Sequence, residues 1–447
     1  MNIADEIYPA KVLAVLAKQA GEAGLQKWDW VERTIWTDRM LEALEKGVKG
    51  GYWFSLIDKV IRPGTLYAAW VRVKANKGSA GSDHQSIEAF ESRLMDNLHQ
   101  LEKELHDGTY RPRPIRRVYI DKPGSNEKRP LGIPAVRDRL VQAALRMVIE
   151  PIFEREFTPR SYGFRPGLGC KDALREVDHY LKAGYEHVVD ADLKAYFDTI
   201  SHDLLMEDIK SRIADGRVLE LIEMFLKQEV LEEMSLWTPE QGTPQGAVIS
   251  PLLANLFLHS VDVAMRKAGY VMVRYADDFV LLCRTQREAE QAHNLVRLLT
   301  EAKGLTLHPT KTKLVDMTLA GESFDFLGYH FENGTRWPRK KSLVKFKDNI
   351  RKKTSRSNGG SLEMIIHKVN MTLWGWFGYF KHSNYRTFKL MDGWIRRRLR
   401  SILRRREKIK GMSKGWDNKR WPNKFFSDHG LFSLTAAHER LLQSLKR

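Results

Sequence analysis

The sequence has little cysteine: Cys170 and Cys283 are the two in 447 residues. They form no CxxC pair, which excludes a cysteine-rich zinc site and argues against a disulfide framework. No apolar run is long enough to cross a bilayer, and the first residues lack the basic and apolar segments of a secretory signal. These absences predict a protein of a reducing, cytoplasmic setting that has no membrane partner.

Acidic residues are scarce in one part of the chain. Between Arg336 and Lys410 there are 4 Asp and Glu against 23 Lys and Arg, while the whole chain carries a net charge of +18. The basicity is therefore local, as expected of a surface that binds an anionic polymer. A soluble protein with a basic surface and no polymer ligand is the alternative that composition leaves open.

The apolar pattern divides the chain into a mixed part and a helical part. A strand is predicted over residues 115–120, a helix over 137–157, and short strands then alternate with helices in an α+β pattern. Beyond a polar loop at Gly359-Gly360, residues 362–410 fit helices. In residues 390–406 apolar side chains recur at helical spacing and arginines fill the other face, which suits contact with phosphates.

Three aspartates form the candidate catalytic centre. Asp277 and Asp278 occupy the turn of a predicted hairpin of apolar strands, and Asp192 ends another short strand. Adjacent aspartates between buried strands repel each other and lose hydration, so a cation would offset their cost. Carboxylates aimed at one point can hold the two Mg²⁺ ions that phosphoryl transfer to a hydroxyl uses. For the doublet alone, an ordinary aspartate-rich turn is the alternative.

The order of these aspartates and the motifs around them resembles the palm of reverse transcriptases. Residues 243–246 (TPQG) lie between Asp192 and the YADD sequence of residues 275–278. Over most of its length the chain resembles group II intron-encoded reverse transcriptases and maturases, of the bacterial type that lacks an endonuclease. The further matching segments are residues 76–81 (NKGSAG), 129–134 (RPLGIP), 150–154 (EPIFE), 161–166 (SYGFRP), 246–255 (GAVISPLLAN), 311–312 (KT) and 324–329 (FDFLGY).

This resemblance implies the fold of a right-hand polymerase, with α+β fingers and palm followed by an α-helical thumb and maturase domain. An N-terminal helical extension would cover residues 1–65, and the fingers and palm 66–335. The basic thumb and maturase (X) domain would cover 336–411. A C-terminal appendage, residues 412–447, lacks the cysteine pairs and the length of the HNH endonuclease of many relatives, and a reduced DNA-binding segment is one role that stays open for it.

The resemblance also implies roles for individual residues. Asp192, Asp277 and Asp278 would be the catalytic, metal-binding residues, with Asp190 as a helper or a structural residue. The implied dNTP-binding residues are Lys122, Arg129, Phe197 and Gln245. Among these, Lys122 and Arg129 would grip the triphosphate, although the turn between them looks longer than the family pattern. Phe197 would be the steric gate that excludes ribonucleotides, a core phenylalanine being the alternative.

Further roles concern the primer and the RNA. Lys311 would be the proton donor to pyrophosphate, with a solvated surface lysine as the alternative. The strand turn at Phe326, Leu327 and Gly328 would be the primer grip, or part of the core. Arg165 would contact template phosphate or a carboxylate of the fingers. The implied RNA-binding residues are Arg396, Arg397, Arg400 and Arg404.

The implied activity is RNA-directed DNA polymerisation by a two-metal mechanism with Mg²⁺ as cofactor, combined with binding of intron RNA for splicing and retrohoming. The partners would be group II intron RNA, an RNA template, a DNA primer, dNTPs and target DNA, with nucleoid association in a bacterial cytoplasm. Three alternatives remain: a splicing cofactor, a domesticated repair or defence reverse transcriptase without an intron, and an RNA-dependent RNA polymerase. Phe197 speaks against the last, because a bulky gate blocks a 2′-hydroxyl.

Overall fold

A computed structural model describes residues 26–121, 128–409 and 415–445 of the chain. Lys122, a predicted triphosphate contact, lies outside these ranges. From residue 26 the N-terminal part is helical, and its apolar side chains share one core with helix α6 (Val136–Glu154), while residues 1–25 of the predicted helical extension lie outside the described ranges. Its helices are α1 (Asp38–Lys46), α2 (Ile57–Ile61), α3 (Pro63–Asn76), α4 (Ile87–Glu91) and α5 (Leu94–His106), with short 3-10 turns at Gln26–Trp28 and Lys49–Gly51.

A four-stranded sheet forms the next layer, in the order β2-β1-β4-β5. Its strands are β1 (Ile115–Asp121), β2 (Lys128–Ile133), β4 (Val230–Glu232) and β5 (Ser235–Trp237). The strands β1 and β2 pair as an antiparallel hairpin, whereas β4 joins β1 in parallel. The predicted strand over 115–120 is therefore confirmed. Helix α6 confirms the helix expected over 137–157, and it begins and ends within one turn of those bounds.

The central sheet is antiparallel and has the order β6-β7-β3-β8. It comprises β3 (His187–Asp192), β6 (Val271–Tyr275), β7 (Asp278–Cys283) and β8 (Lys313–Asp316). Consecutive side chains of a strand point to opposite faces. Accordingly, Val188 belongs to one core cluster and Val189 to another, so both faces of this sheet are covered.

Helices surround the central sheet. They are α7 (Cys170–Lys182), α8 (Tyr196–Thr199), α9 (His202–Lys210), α10 (Gly216–Leu226), α11 (Ser250–Lys267) and α12 (Gln286–Ala302). Side-chain oxygens of Ser201, Asp215 and Thr285 accept backbone N–H groups at the starts of α9, α10 and α12. Such caps satisfy donors that have no partner within the helix. This α+β body agrees with the predicted fingers and palm.

The C-terminal part begins with a small sheet of β9 (Ser323–Phe326), β10 (Tyr329–Glu332) and β11 (Thr335–Pro338). The helices that follow are α13 (Lys340–Lys353), α14 (Leu362–Phe380), α15 (Tyr385–Arg406), α16 (Gly415–Arg420), α17 (Asn423–Asp428) and α18 (Leu434–Leu445). The predicted helical thumb and the predicted loop at Gly359-Gly360 are both present. Within the described ranges no helix is long and apolar enough to span a membrane.

The C-terminal segment shares the core of the basic helices. Trp421, Phe426 and Leu434 are buried in one cluster with apolar residues of α13, α14 and α15. The carboxylate of Asp392 on α15 accepts hydrogen bonds from the backbone N–H groups of Leu434 and Thr435 at 3.0 and 3.1 Å. The boundary expected near residue 411 therefore does not separate two cores.

Candidate active site and basic surface

The three aspartates lie at one end of the central sheet. Ala276 and Asp277 form the two-residue turn between β6 and β7, and Ala276 has a positive φ of 58°. Asp192, the last residue of β3, lies directly opposite Asp278, the first residue of β7. The predicted hairpin is confirmed, and its register brings the carboxylates of two strands to one place.

The surroundings of these carboxylates disfavour negative charge. Burial is the main cause that raises the pKa of Asp278 to about 7, followed by repulsion from Asp190, Asp277 and Asp192. Burial also raises the pKa of Asp277, and the charge of Asp192 raises it further, whereas Arg129 lowers it. Burial, then Asp325, raises the pKa of Asp190 to about 7. Neighbouring carboxylates whose pKa values are raised in this way are stabilised in their ionised form by positive charge.

Lys311 supplies one positive charge to this cluster. Its Nζ lies 2.5 Å from Oδ2 of Asp192, in the segment that leads into β8. The backbone supports this approach, because the N–H of His308 donates to the carbonyl oxygen of Asp192 at 2.7 Å. Lys311 therefore contacts the predicted metal ligand itself, while 61% of its side chain stays exposed to solvent.

The donor chemistry of the site fits a hard divalent cation. In the described part of the chain, no group of three or more His, Cys, Asp or Glu side chains forms a ready-made metal cage. Mg²⁺ seldom uses such a cage, since it is held by one or two carboxylates together with water and substrate phosphates. Half-buried aspartates that repel one another at an open sheet end suit that mode of binding.

A buried arginine beneath the turn holds it in place, and sequence reasoning missed it. Arg274 on β6 is 1% exposed. Its guanidinium donates to both carboxylate oxygens of Asp262, at 2.8 and 2.5 Å, and to the carbonyl oxygen of Ala276 at 2.9 Å. A bond to Oδ1 of Asn255 at 3.0 Å completes the set. An arginine immediately before YADD was the available signal, but its partners come from the distant helix α11.

A glycine lets the SYGFRP segment pass directly under the same turn. A Cβ on Gly163 would lie 2.2 Å from the backbone nitrogen of Ala276, closer than any side chain tolerates. The carbonyl oxygen of Gly163 accepts a hydrogen bond from Nδ2 of Asn255 at 2.5 Å. The N–H of Tyr162 donates to the carbonyl oxygen of Arg274 at 2.8 Å. The turn that carries Asp277 is thus supported from two sides.

Arg165 has a structural role in the same segment. It donates to Oε1 of Glu154 at 2.7 Å through one terminal nitrogen and at 2.9 Å through Nε. Another nitrogen donates to the carbonyl oxygen of Thr158 at 2.7 Å. Of the two roles expected for Arg165, the structure thus contains the contact with a carboxylate of the fingers.

Arg129, Phe197 and Gln245, three of the predicted dNTP-binding residues, lie on segments that are linked by backbone hydrogen bonds. Arg129 is exposed on β2, and its charge lowers the pKa of Asp277. The carbonyl oxygen of Phe197 accepts a hydrogen bond from the N–H of Thr243 at 2.7 Å. The carbonyl oxygen of Gln245 accepts one from the N–H of Gly132 at 2.6 Å. The β2 strand, the start of α8 and the TPQG loop therefore form one wall. The side chain of Phe197 is half-buried and borders the main core.

The predicted primer grip is a tight turn between β9 and β10. Leu327 and Gly328 both have positive φ, 46° and 83°, while Phe326 is fully buried in the core beside the central sheet. The hydroxyl of Tyr379 donates to the carbonyl oxygen of Leu327, and that of Ser342 to the carbonyl oxygen of Gly328. Phe326 is thus a core residue, and the two turn residues connect the small sheet to the basic helices.

The arginine face of α15 differs from the prediction. Arg397 is exposed and Arg396 half-exposed, but Arg400 and Arg404 are only 6% and 8% exposed. Arg400 donates to the carbonyl oxygen of Trp421 at 2.9 Å, and Arg404 to Oδ1 of Asp417 at 2.6 Å. Arg400 and Arg404 therefore do not lie on the open arginine face that the helical pattern predicted, although Arg400 lines a cleft beside α15. The C-terminal segment folds back over them, which a helical pattern by itself does not reveal.

Comparison with known proteins agrees with this architecture. The family described as reverse transcriptase (RNA-dependent DNA polymerase) matches residues 120–331, and the group II intron, maturase-specific domain matches residues 343–421. Protein YkfC of Escherichia coli K12 is 33% identical over 362 residues, which cover 71% of this chain and 92% of YkfC.

A second relative is longer than this chain. The group II intron-encoded protein LtrA of Lactococcus lactis is 38% identical over 205 residues, and the match covers 45% of this chain but 34% of LtrA. A solved chain of the partial Cas6-RT-Cas1–Cas2 complex aligns with a TM-score of 0.37 and 25% identity, covering 56% of this chain and 43% of that one. With a reverse transcriptase domain followed by a maturase-specific domain, the chain belongs to the family of group II intron-encoded reverse transcriptases and maturases.

Proposed function

We propose that this chain polymerises DNA on an RNA template by a two-metal mechanism, and that it also binds structured intron RNA to promote splicing and retrohoming. Its substrates are dNTPs, an RNA template and a DNA primer, and target DNA is the acceptor in retrohoming. The observation that carries the proposal is the convergence of Asp192, Asp277 and Asp278 at one sheet end. A protein that only binds RNA has no need of three mutually repelling carboxylates there.

The aspartates are the proposed ligands of the metal ions. Two bound Mg²⁺ ions supply the charge that activates the primer hydroxyl and neutralises the triphosphate. Asp192 and Asp277 are the main ligands and Asp278 the neighbouring one. Because Asp192 pairs with Lys311, a cation held by Asp192 would lie close to this ammonium. Lys311 then stands beside the reacting phosphates, where an ammonium can donate a proton to the departing pyrophosphate.

The wall formed by β2, α8 and the TPQG loop is the proposed nucleotide site. Arg129 offers the triphosphate a planar fork of donors. Such a fork binds phosphate oxygens in pairs. Lys122, outside the described residues, is proposed as a second triphosphate contact. Phe197 is the proposed gate beneath the sugar, and Gln245 packs beside the nucleotide. The turn at Leu327 and Gly328 is the proposed contact with the primer backbone.

Primer extension on poly(rA) with an oligo(dT) primer tests the polymerase. Wild type and Asp277→Asn are compared in Mg²⁺ with dTTP or UTP, and a chelator is added in a parallel reaction. Extension with dTTP that is lost in the variant and in the chelator supports the proposal. Extension mainly with UTP indicates an RNA polymerase. A folded, RNA-binding wild type that extends neither substrate indicates a splicing cofactor.

A further inference from the structure

A cleft between α15 and the C-terminal segment is lined by arginines. Its volume is about 920 Å³, and Arg356, Arg396, Arg397 and Arg400 line it together with Asn418 and Asn423. We call it the arginine cleft. The residues come from the loop after α13, from α15, and from α16 and α17. The cleft therefore exists only because the C-terminal segment folds back onto α15.

The positive charge of the cleft is largely uncompensated. Among the described residues, Arg356, Arg397 and Arg400 make no ion pair, and no carboxylate lines the cleft. Asp392 lies 3.9 Å from Arg396, but its oxygens accept hydrogen bonds from residues 433–435. Burial lowers the pKa of Arg400, and the charge of Arg396 lowers it further, whereas the charge of Asp417 raises it. Neighbouring cations of this kind are stabilised by an anion.

The cleft is also organised before any ligand binds. Arg400 is held by the carbonyl oxygen of Trp421 and by Oδ1 of Asn423 at 3.0 Å. Nε of Arg356 donates to Oγ of Ser401 at 2.6 Å, which leaves its terminal nitrogens for another acceptor. A fixed guanidinium loses less freedom when it binds, so its remaining donors suit phosphate oxygens.

An exposed aromatic residue adjoins the lining of the cleft in the chain. Trp416 is 78% exposed and follows Gly415, which lines the cleft. The ammonium of Lys419 lies 5.2 Å from the centre of its ring. An indole that remains in solvent beside a cationic groove is a surface on which unpaired bases stack. The combination of phosphate donors and a stacking ring is typical of contact with RNA that has unpaired nucleotides.

We propose that the arginine cleft binds the phosphodiester backbone of structured RNA and that Trp416 stacks on an unpaired base beside it. This inference rests on the proposed binding of structured RNA and assigns it a location. It also gives the C-terminal segment a role as one wall of an RNA site, in place of a separate DNA-binding segment.

Binding of fluorescein-labelled hairpins to the full chain tests the proposal over a range of salt concentrations. The variant is Arg356→Gln with Arg397→Gln. Its control is Arg386→Gln with Arg405→Gln, which removes the same charge from exposed positions of α15 outside the cleft. The cleft variant should bind an RNA hairpin roughly 10- to 100-fold more weakly, and its log–log salt slope should fall by about 2. An unchanged salt slope, or an equal loss of RNA affinity in the control variant, overturns the proposed RNA site in the cleft.

Two further comparisons define the ligand. Trp416→Ala should weaken binding of a hairpin with a single-stranded overhang more than that of a blunt hairpin, and equal weakening overturns the stacking role. A DNA hairpin of the same sequence should bind more weakly than the RNA, and equal binding overturns the RNA assignment. Primer extension by the wild type is measured separately. If the wild type extends no primer but the cleft variant still binds RNA more weakly, the result contradicts the proposed polymerase activity and not the proposed cleft.

Discussion

Nζ of Lys311 lies 2.5 Å from Oδ2 of Asp192, so a lysine and a proposed metal ligand form an ion pair. A cation that binds Asp192 must compete with this ammonium. We expect Lys311→Gln to lower the Mg²⁺ concentration for half-maximal extension about two- to fivefold, the strength of an exposed ion pair. If Lys311 also donates a proton, the maximal rate falls.

A Mg²⁺ titration of primer extension checks the Lys311 prediction. Lys267→Gln is the control, since it removes an exposed charge from the end of α11 and makes no ion pair in the described structure. A midpoint that stays the same or rises in Lys311→Gln would show that the ammonium does not compete with the metal.

Asp277→Asn should abolish most of the polymerase activity. The amide keeps the size of the side chain but removes the charge that we propose to hold a metal ion. Loss of several kcal/mol of transition-state stabilisation corresponds to a rate about 10²- to 10⁴-fold lower. Asp316→Asn, on β8 beside His187 at the other end of β3, is the control. Comparable loss in both variants, in single-turnover extension, contradicts the assignment.

Phe197→Ala should relax discrimination against ribonucleotides. With the ring removed, the sugar pocket accepts a 2′-hydroxyl, and we expect the ratio of UTP to dTTP incorporation to rise about tenfold or more. The adjacent change Tyr196→Phe keeps the ring and loses the hydroxyl that donates to Ala254, so it should leave the ratio unchanged. Single-nucleotide extension measures both, and an unchanged ratio in Phe197→Ala removes the gate.

Arg274→Met should destabilise the fold by roughly 3–5 kcal/mol, because it leaves Asp262 as a buried charge without its partner. Urea unfolding measures the change. Arg297→Met breaks an exposed pair with Glu301 and should cost less than about 1 kcal/mol. Equal effects of the two substitutions would mean that the buried pair does not hold the turn.

Gly163→Ala should impair catalysis. The added methyl group meets the backbone nitrogen of Ala276 at 2.2 Å, so the turn that carries Asp277 must move. A displacement of about 1 Å at reacting groups costs roughly 10²-fold in rate. Gly216→Ala is the control, because a Cβ there meets open space. Wild-type extension rates in Gly163→Ala would show that the turn tolerates the shift.

The sequence alone determined the chemistry and the order of the parts. The apolar strands around Asp277 and Asp278 predicted the hairpin, and the spacing of Asp192, TPQG and YADD identified the family. Periodicity also predicted α6 and the basic helices. These features could be predicted because each depends on residues close together in the chain, or on a motif that keeps its order.

Tertiary structure decided which distant residues meet. Arg274 finds Asp262 on α11, Lys311 reaches Asp192, and Gly163 passes beneath Ala276. It also decided that Arg400 and Arg404 are buried while Arg397 stays exposed, although all three are arginines of one helix. A helical pattern in the sequence gives the direction in which a side chain points around the axis of its helix. What covers that side chain depends on where the rest of the chain packs.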